Sequence, residues 1–190
     1  MLYRLFQIII STAIAVLLTT CATTTNVDYD EKYDFSSIRS INIVDPKQQA
    51  TGDTRLDSPL MMNRIRDAIE NTLRARGYTL VSDSGDINLV YQLSKRSGVE
   101  SAGSGITFGY GTFGPHGGIG MAYGYPGYDV QSYDEGVLTI DIINAKNNFL
   151  VWRGSSSRRL YNGSTPKKSK KTINALVSEI LARFPPGTGK

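Results

Sequence analysis

Segments of alternating apolar and polar residues, two amphipathic helical stretches, and one glycine-rich interruption between strands predict an α+β fold. Two such helices each need an apolar surface, and half-buried strands offer one face. The packing that satisfies both is a two-layer sandwich, a mainly antiparallel sheet with two helices on one face and a Gly/aromatic-rich insert.

The chain opens with Arg4 and an apolar run from Leu5 to Leu18 that only Gln7, Ser11 and Thr12 interrupt. This is the layout of a signal peptide over residues 1–20. A run of about 14 residues falls short of the roughly 20 that cross a bilayer as a helix. Cys21, the single cysteine, follows directly. Leu18-Thr19-Thr20-Cys21 resembles the lipobox of bacterial lipoproteins, in which the cysteine receives a diacylglycerol and becomes the mature N-terminus. Thr20 departs from that pattern, being bulkier than the Gly, Ala or Ser usual there. The resemblance implies lipidation at Cys21, and with Ala22 rather than Asp next in line it implies the periplasmic face of the outer membrane. Removing the leader leaves 20 basic and 17 acidic residues, a mild excess that selects no partner class. A chain exported in this way does not meet nucleic acid.

Residues 21–32 read as a polar tether, and residues 33–186 as a single α+β domain with residues 187–190 as a tail. Within the domain, Ile41 and Ile43 alternate with Ser40 and Asn42 in a strand over 38–44 that Pro46 ends. Asp57 or Ser58 can cap a helix with Pro59 at its first position, and Met61, Ile65, Ile69 and Leu73 mark its apolar stripe. Gly77 is a natural stop, and Tyr78 to Val81 a short strand. Ile87, Leu89, Tyr91 and Leu93 alternate with polar or smaller neighbours as the clearest half-buried strand. Leu138, Ile140 and Ile142 repeat the pattern, and Leu150, Val151 and Trp152 return after a five-residue connection as a hairpin. Thr165 and Pro166 then start a helix whose apolar positions are Ile173, Leu176, Val177, Ile180, Leu181 and Phe184, before Pro185 and Pro186 stop it.

Several of these segments together resemble bacterial lipoproteins of the domain of unknown function 4136 family. They are Tyr33-Asp34-Phe35, Arg76-Gly77-Tyr78, Asp86-Ile87-Asn88-Leu89-Val90, the run Glu135 to Ile142, Leu150-Val151-Trp152-Arg153-Gly154, and Ile180 to Pro186. The resemblance implies a fold and an envelope location; it brings no activity, because the family's function is uncharacterised. Asn147-Asn148 stands where a Gly-containing turn would be more typical.

Two features remain as candidate binding surfaces. The insert, residues 97–131, holds most of the chain's 19 glycines. Phe108, Tyr110, Phe113, Tyr123 and Tyr125 lie among them. The insert reads either as an irregular loop or as a projecting hairpin with one aromatic face. The second feature is basic: Lys146, Arg153, Arg158, Arg159, Lys167, Lys168, Lys170 and Lys171 follow one another with no acid between. The four lysines fall in the first turns of the last helix, where the macrodipole disfavours cations, so helix stability does not account for them. Such surfaces answer to an envelope protein or an anionic lipid or polysaccharide.

Catalysis finds little support. The single histidine, His116, sits in Gly114-Pro115-His116-Gly117-Gly118, and neither a zinc triad nor a thiolate ligand can be assembled. Gly109, Gly111 and Gly114 match a dinucleotide fingerprint formally, but no helix can begin at Pro115 to receive a pyrophosphate. No catalytic, metal or cofactor site is expected. The chain is read as a lipid-anchored binding or scaffolding module. The alternatives are an enzyme acting on envelope polymers and an oligomeric lipoprotein that inserts the Gly/aromatic hairpin into the membrane.

Mass spectrometry of the protein recovered from membranes should find a mature chain beginning at a diacylated Cys21; a free thiol or a retained leader would overturn the anchor.

Overall fold

The computed structural model describes residues 25–46, 48–101 and 130–187. Cys21 and the insert aromatics Phe108, Tyr110, Phe113, Tyr123 and Tyr125 lie outside the described residues. In chain order the elements are β1 (Asn26–Tyr29), a 3-10 turn (Phe35–Ser37), β2 (Ser40–Val44), α1 (Pro59–Ala75), β3 (Thr79–Val81), β4 (Ile87–Ser101), β5 (Val130–Asn144), β6 (Leu150–Arg159) and α2 (Pro166–Leu181). The strands form one sheet in the order β1-β6-β5-β4-β2-β3. β1, β6, β5 and β4 are joined antiparallel, whereas β2 runs parallel to both β4 and β3. A parallel pair requires a crossover, and α1 supplies the one between β2 and β3.

Alternation decides which face is covered. Ile41 and Ile43 on β2, Ile87 to Leu93 at every second position on β4, and Leu138, Ile140 and Ile142 on β5 are all buried on one side. Both helices pack there through Ile65, Ile69 and Leu73 of α1 and Ile173, Val177 and Ile180 of α2. The fold is thus the expected α+β arrangement. The other side of the sheet is polar. There Arg96 pairs with Glu135 at 2.5 Å and Arg153 with Asp141 at 2.6 Å, each across neighbouring strands. The two acids serve separate ion pairs, as their spacing along one strand requires.

The helix ends carry the chemistry foreseen for them. Ser58 is the N-cap of α1 with Pro59 in its first turn, although its hydroxyl makes no capping bond. Thr165 caps α2 by accepting from the Lys168 amide at 3.3 Å. Gly77 adopts φ +84° just after α1, a conformation that favours glycine. In the hairpin joining β5 to β6, Asn148 takes that conformation at φ 58°. Asparagine is the non-glycine residue that tolerates it best, which explains a turn without glycine.

Two stretches differ from the reading of the sequence. The polar tether expected to reach Lys32 is part of the domain from Asn26 onward, where β1 pairs with Ser155 to Trp152 of β6. Asn-Val-Asp-Tyr does alternate polar and apolar residues, with Val27 packed against the core, but a run of four is too short to mark a strand. Likewise, β4 and β5 pair without a break from Ile87↔Asn144 to Ser101↔Val130, so the ladder runs into the segment assigned to the insert. A cross-strand pair helps to explain this: Gly98 faces Tyr133, whose ring lies where a Gly98 Cβ would be, at 2.5 Å from Cζ. Arg159 in turn stacks over that ring at 4.1 Å. A large aromatic covering a strand glycine restores the side-chain contact that glycine lacks.

The largest buried side chain, Trp152, lies against the sheet at Gly154. A Cβ there would meet Trp152 Cη2 at 2.4 Å and Ile180 Cγ2 at 2.7 Å. Phe184, just past α2, packs edge-on against the indole with ring centroids 5.3 Å apart, and Phe35 and Tyr78 extend the cluster. Arg76, at the end of α1, donates to the carbonyls of Leu181 and Phe184, the second at 2.9 Å. The C-terminal ends of both helices are thereby tied to one another and to the sheet. Gly154→Ala should therefore destabilise the fold by about 1 to 3 kcal/mol through overpacking, read as a lowered urea midpoint with an unchanged m-value.

Candidate functional site

At the opposite end from this cluster, the N-terminal halves of α1 and α2 border a cleft of about 450 Å³. Its floor is Leu93, Gly136 and Leu138 of the sheet, and Met61, Ile65, Ile173 and Leu176 wall it from the two helices. Gly136 keeps the floor low: a Cβ there would come within 3.2 Å of both Leu56 and Leu160. The volume lies within the range of small-molecule sites, which are mostly apolar with a few polar groups. Arg64 of α1 lines the cleft and makes no hydrogen bond or ion pair. Among the described residues it is the lining cation still available to a ligand.

The remaining rim charges are committed. Arg55 binds Asp53 through two nitrogens, at 2.8 and 2.5 Å, reaches Asp134 at 3.4 Å and donates to Asn162 Oδ1 at 3.1 Å. It therefore joins the loop before α1 to the loop before α2. Lys95 adds a second cation to Asp134 at 3.1 Å, and Ser97 donates to it at 2.7 Å. Asp53 is buried, and its hydrogen bonds from the Arg55 side chain, with the nearby positive charge, hold its carboxyl down to about 2. Asp134 is lowered as well, first by the Ser97 hydroxyl and then by Lys95. A general acid at neutral pH needs a raised carboxyl. These two carboxylates share one guanidinium and are both held ionised. Among the described residues, no group of three or more His, Cys, Asp or Glu is placed to hold a metal ion.

The basic run does not form one surface. Arg153 belongs to the polar face of the sheet with Asp141, and Lys146 lies in the turn at the end remote from the cleft. Arg159 stacks on Tyr133, whereas Arg158, its neighbour along a strand, points the other way and pairs with Glu179 of α2. Lys167, Lys168, Lys170 and Lys171 are brought together, exposed and without ion pairs, on the first turns of α2 beside the cleft. Strand alternation foretells the separation of Arg158 from Arg159. The cleft itself had no local signal: Arg64, Gly136, Leu160 and Tyr161 meet only through the tertiary fold.

A family model, described as "Domain of unknown function (DUF4136)", matches residues 25–186. No curated protein matches the chain. Similar solved structures include a PelC dodecamer from Paraburkholderia phytofirmans, at 13% identity and TM-score 0.48 over 85% of this chain and 96% of that one. A minor lipoprotein from Acinetobacter baumannii aligns at 10% identity and TM-score 0.37, covering 77% of this chain and 91% of its own. The rare lipoprotein B from Shewanella oneidensis aligns at 10% identity and TM-score 0.33, with 76% and 92% covered.

Asp53 carries a pH signature. Its carboxyl is depressed from 3.8 to about 2 on folding, so its stabilisation is complete above pH 4 and disappears as the pH falls toward 2. Urea unfolding should show Asp53→Asn less stable than the parent at pH 7, with the gap closing across that acidic window; a gap independent of pH would refute the assignment.

Proposed function

We propose that this chain, which belongs to the DUF4136 family, is a lipid-anchored, non-catalytic binding module of the bacterial envelope. The anchor is Cys21, and the site is the cleft between the N-terminal halves of the helices. The observation that carries the reading is the combination of an apolar cleft of about 450 Å³ with one cation in its wall, Arg64, that is uncommitted among the described residues. Such a lining suits a molecule with an apolar body and an anionic end. The apolar part would displace water from Leu93, Leu138, Ile173 and Leu176, contributing about 25 cal/mol per Å² removed from solvent. The charged end would meet Arg64 at a site that is only partly exposed, where a paired charge is worth more than in bulk water.

An enzyme acting on envelope polymers fits this geometry less well. Among the described residues no carboxylate lines the cleft, and Asp53 and Asp134, which bind its rim residue Arg55, are both neutralised by cations. Among the described residues, no helix is long and apolar enough to cross a membrane.

Titration of the full chain with a fluorescent long-chain fatty acid should give saturable binding. Ser169→Trp, which fills the cleft from the α2 wall, should weaken it about tenfold or more. Arg64→Glu should weaken the acid while leaving the corresponding alcohol unaffected. Unsaturable binding, or binding that both variants leave unchanged, would overturn the site.

A further inference from the structure

The register of β1 carries information about how an anchored domain lies on its membrane. Asn26 pairs with Ser155 and Tyr29 with Trp152, so β1 runs antiparallel to β6. β6 runs toward the cleft, where Arg158 to Ser164 form one rim. The chain before Asn26 must therefore enter from the cleft end of the sheet. Cys21 precedes Asn26 by five residues, which span at most about 18 Å. A domain tethered this closely cannot stand far from the lipid to which Cys21 is attached.

The same end of the domain bears the features that a phosphate-bearing surface attracts. Lys167, Lys168, Lys170 and Lys171 project from α2 without ion pairs, and Arg64 adds a fifth uncommitted cation. Most acids at this end are already engaged, Asp53 and Asp134 with Arg55, Glu179 with Arg158, and Asp57 with the amides of Thr51 and Gly52, whereas Asp67, one turn along α1 from Arg64, has no such partner among the described residues. Two large apolar side chains are exposed at this end as well, Leu60 at 62% and Tyr161 at 70%. An apolar and an aromatic group among lysines suit the boundary between head groups and acyl chains. At the remote end the cations, among them Arg39, Arg76 and Lys146, are interspersed with acids such as Asp30, Asp34 and Asp86.

From these observations we infer that the cleft end of the domain docks on the anionic phosphate head groups of the membrane holding its own anchor. Lys167, Lys168, Lys170 and Lys171 make the contact, and the mouth of the cleft opens at the lipid surface. The inference rests on the anchored reading of Cys21. It also deepens the proposed function, because a cleft facing head groups would receive an amphiphile from the membrane without its passing through water.

The test uses the full acylated chain reconstituted in vesicles of phosphatidylethanolamine and phosphatidylglycerol. A membrane-impermeant amine reagent is added, and labelling is read lysine by lysine by mass spectrometry. Labelling at Lys167, Lys168, Lys170 and Lys171 should fall about fivefold relative to Lys146. The protection should weaken in phosphatidylcholine vesicles and in high salt, as screening of head-group charge requires. A chain that floats with the vesicles yet labels equally at both ends would overturn the inference while leaving the anchor intact. A chain that remains soluble would overturn the anchor and the inference together.

Discussion

Trp152 can lie flat on the sheet only because residue 154, two places along the same face of β6, has no side chain. That single steric allowance organises one end of the molecule. The indole supports Phe184, Phe184 meets Phe35 and Tyr78, and Arg76 closes the arrangement by bonding the carbonyls that end α2. Fixing both helices at their C-terminal ends leaves their N-terminal halves to border the cleft. The position of the candidate site thus depends on packing at the opposite end of the domain.

Most of the fold was legible because its signals are local and periodic. The alternation of Ile87 to Leu93 and the stripe from Ile65 to Leu73 each mark a buried face, and Pro59, Gly77 and Pro166 punctuate the helices. What escaped has no such signature. β1 is recognised by the backbone of β6, and an alternation of only four residues is too short to announce that. The extension of β4 past Lys95 depends on Gly98 lying under Tyr133, a pairing between residues 35 positions apart. The basic run looked like one surface in the sequence, but strand and helix geometry distributed it over three, leaving only the α2 lysines as a group.

The segments that carry the family resemblance fall unevenly on the structure. Tyr33, Phe35, Arg76, Tyr78, Trp152, Gly154 and Phe184 belong to the aromatic cluster or its clamp. Asp86 holds β2 by accepting from the amides of Arg39 and Ser40, at 2.9 and 2.8 Å. None of these residues lines the cleft; of the resemblance segments, the run Glu135 to Ile142 reaches it, through Gly136 and Leu138 of the floor. The resemblance consequently reports the architecture and the floor of the cleft, but not its helical walls. Two chains sharing all of these segments could differ at Arg64 or Ser169 and bind different molecules.

The four residues of β1 also have a mechanical meaning. An anchor at Cys21 would transmit any pull from the membrane into the domain through the hydrogen bonds between Asn26–Tyr29 and β6. A pull along the strand axis would load those bonds side by side in shear, so that they would have to fail together. A pull across the strand would peel them one at a time. Entry of the chain from the cleft end would, if that end faces the membrane, load β1 in the first geometry and let a short edge strand act as a strain-resistant fastening between the lipid and the core.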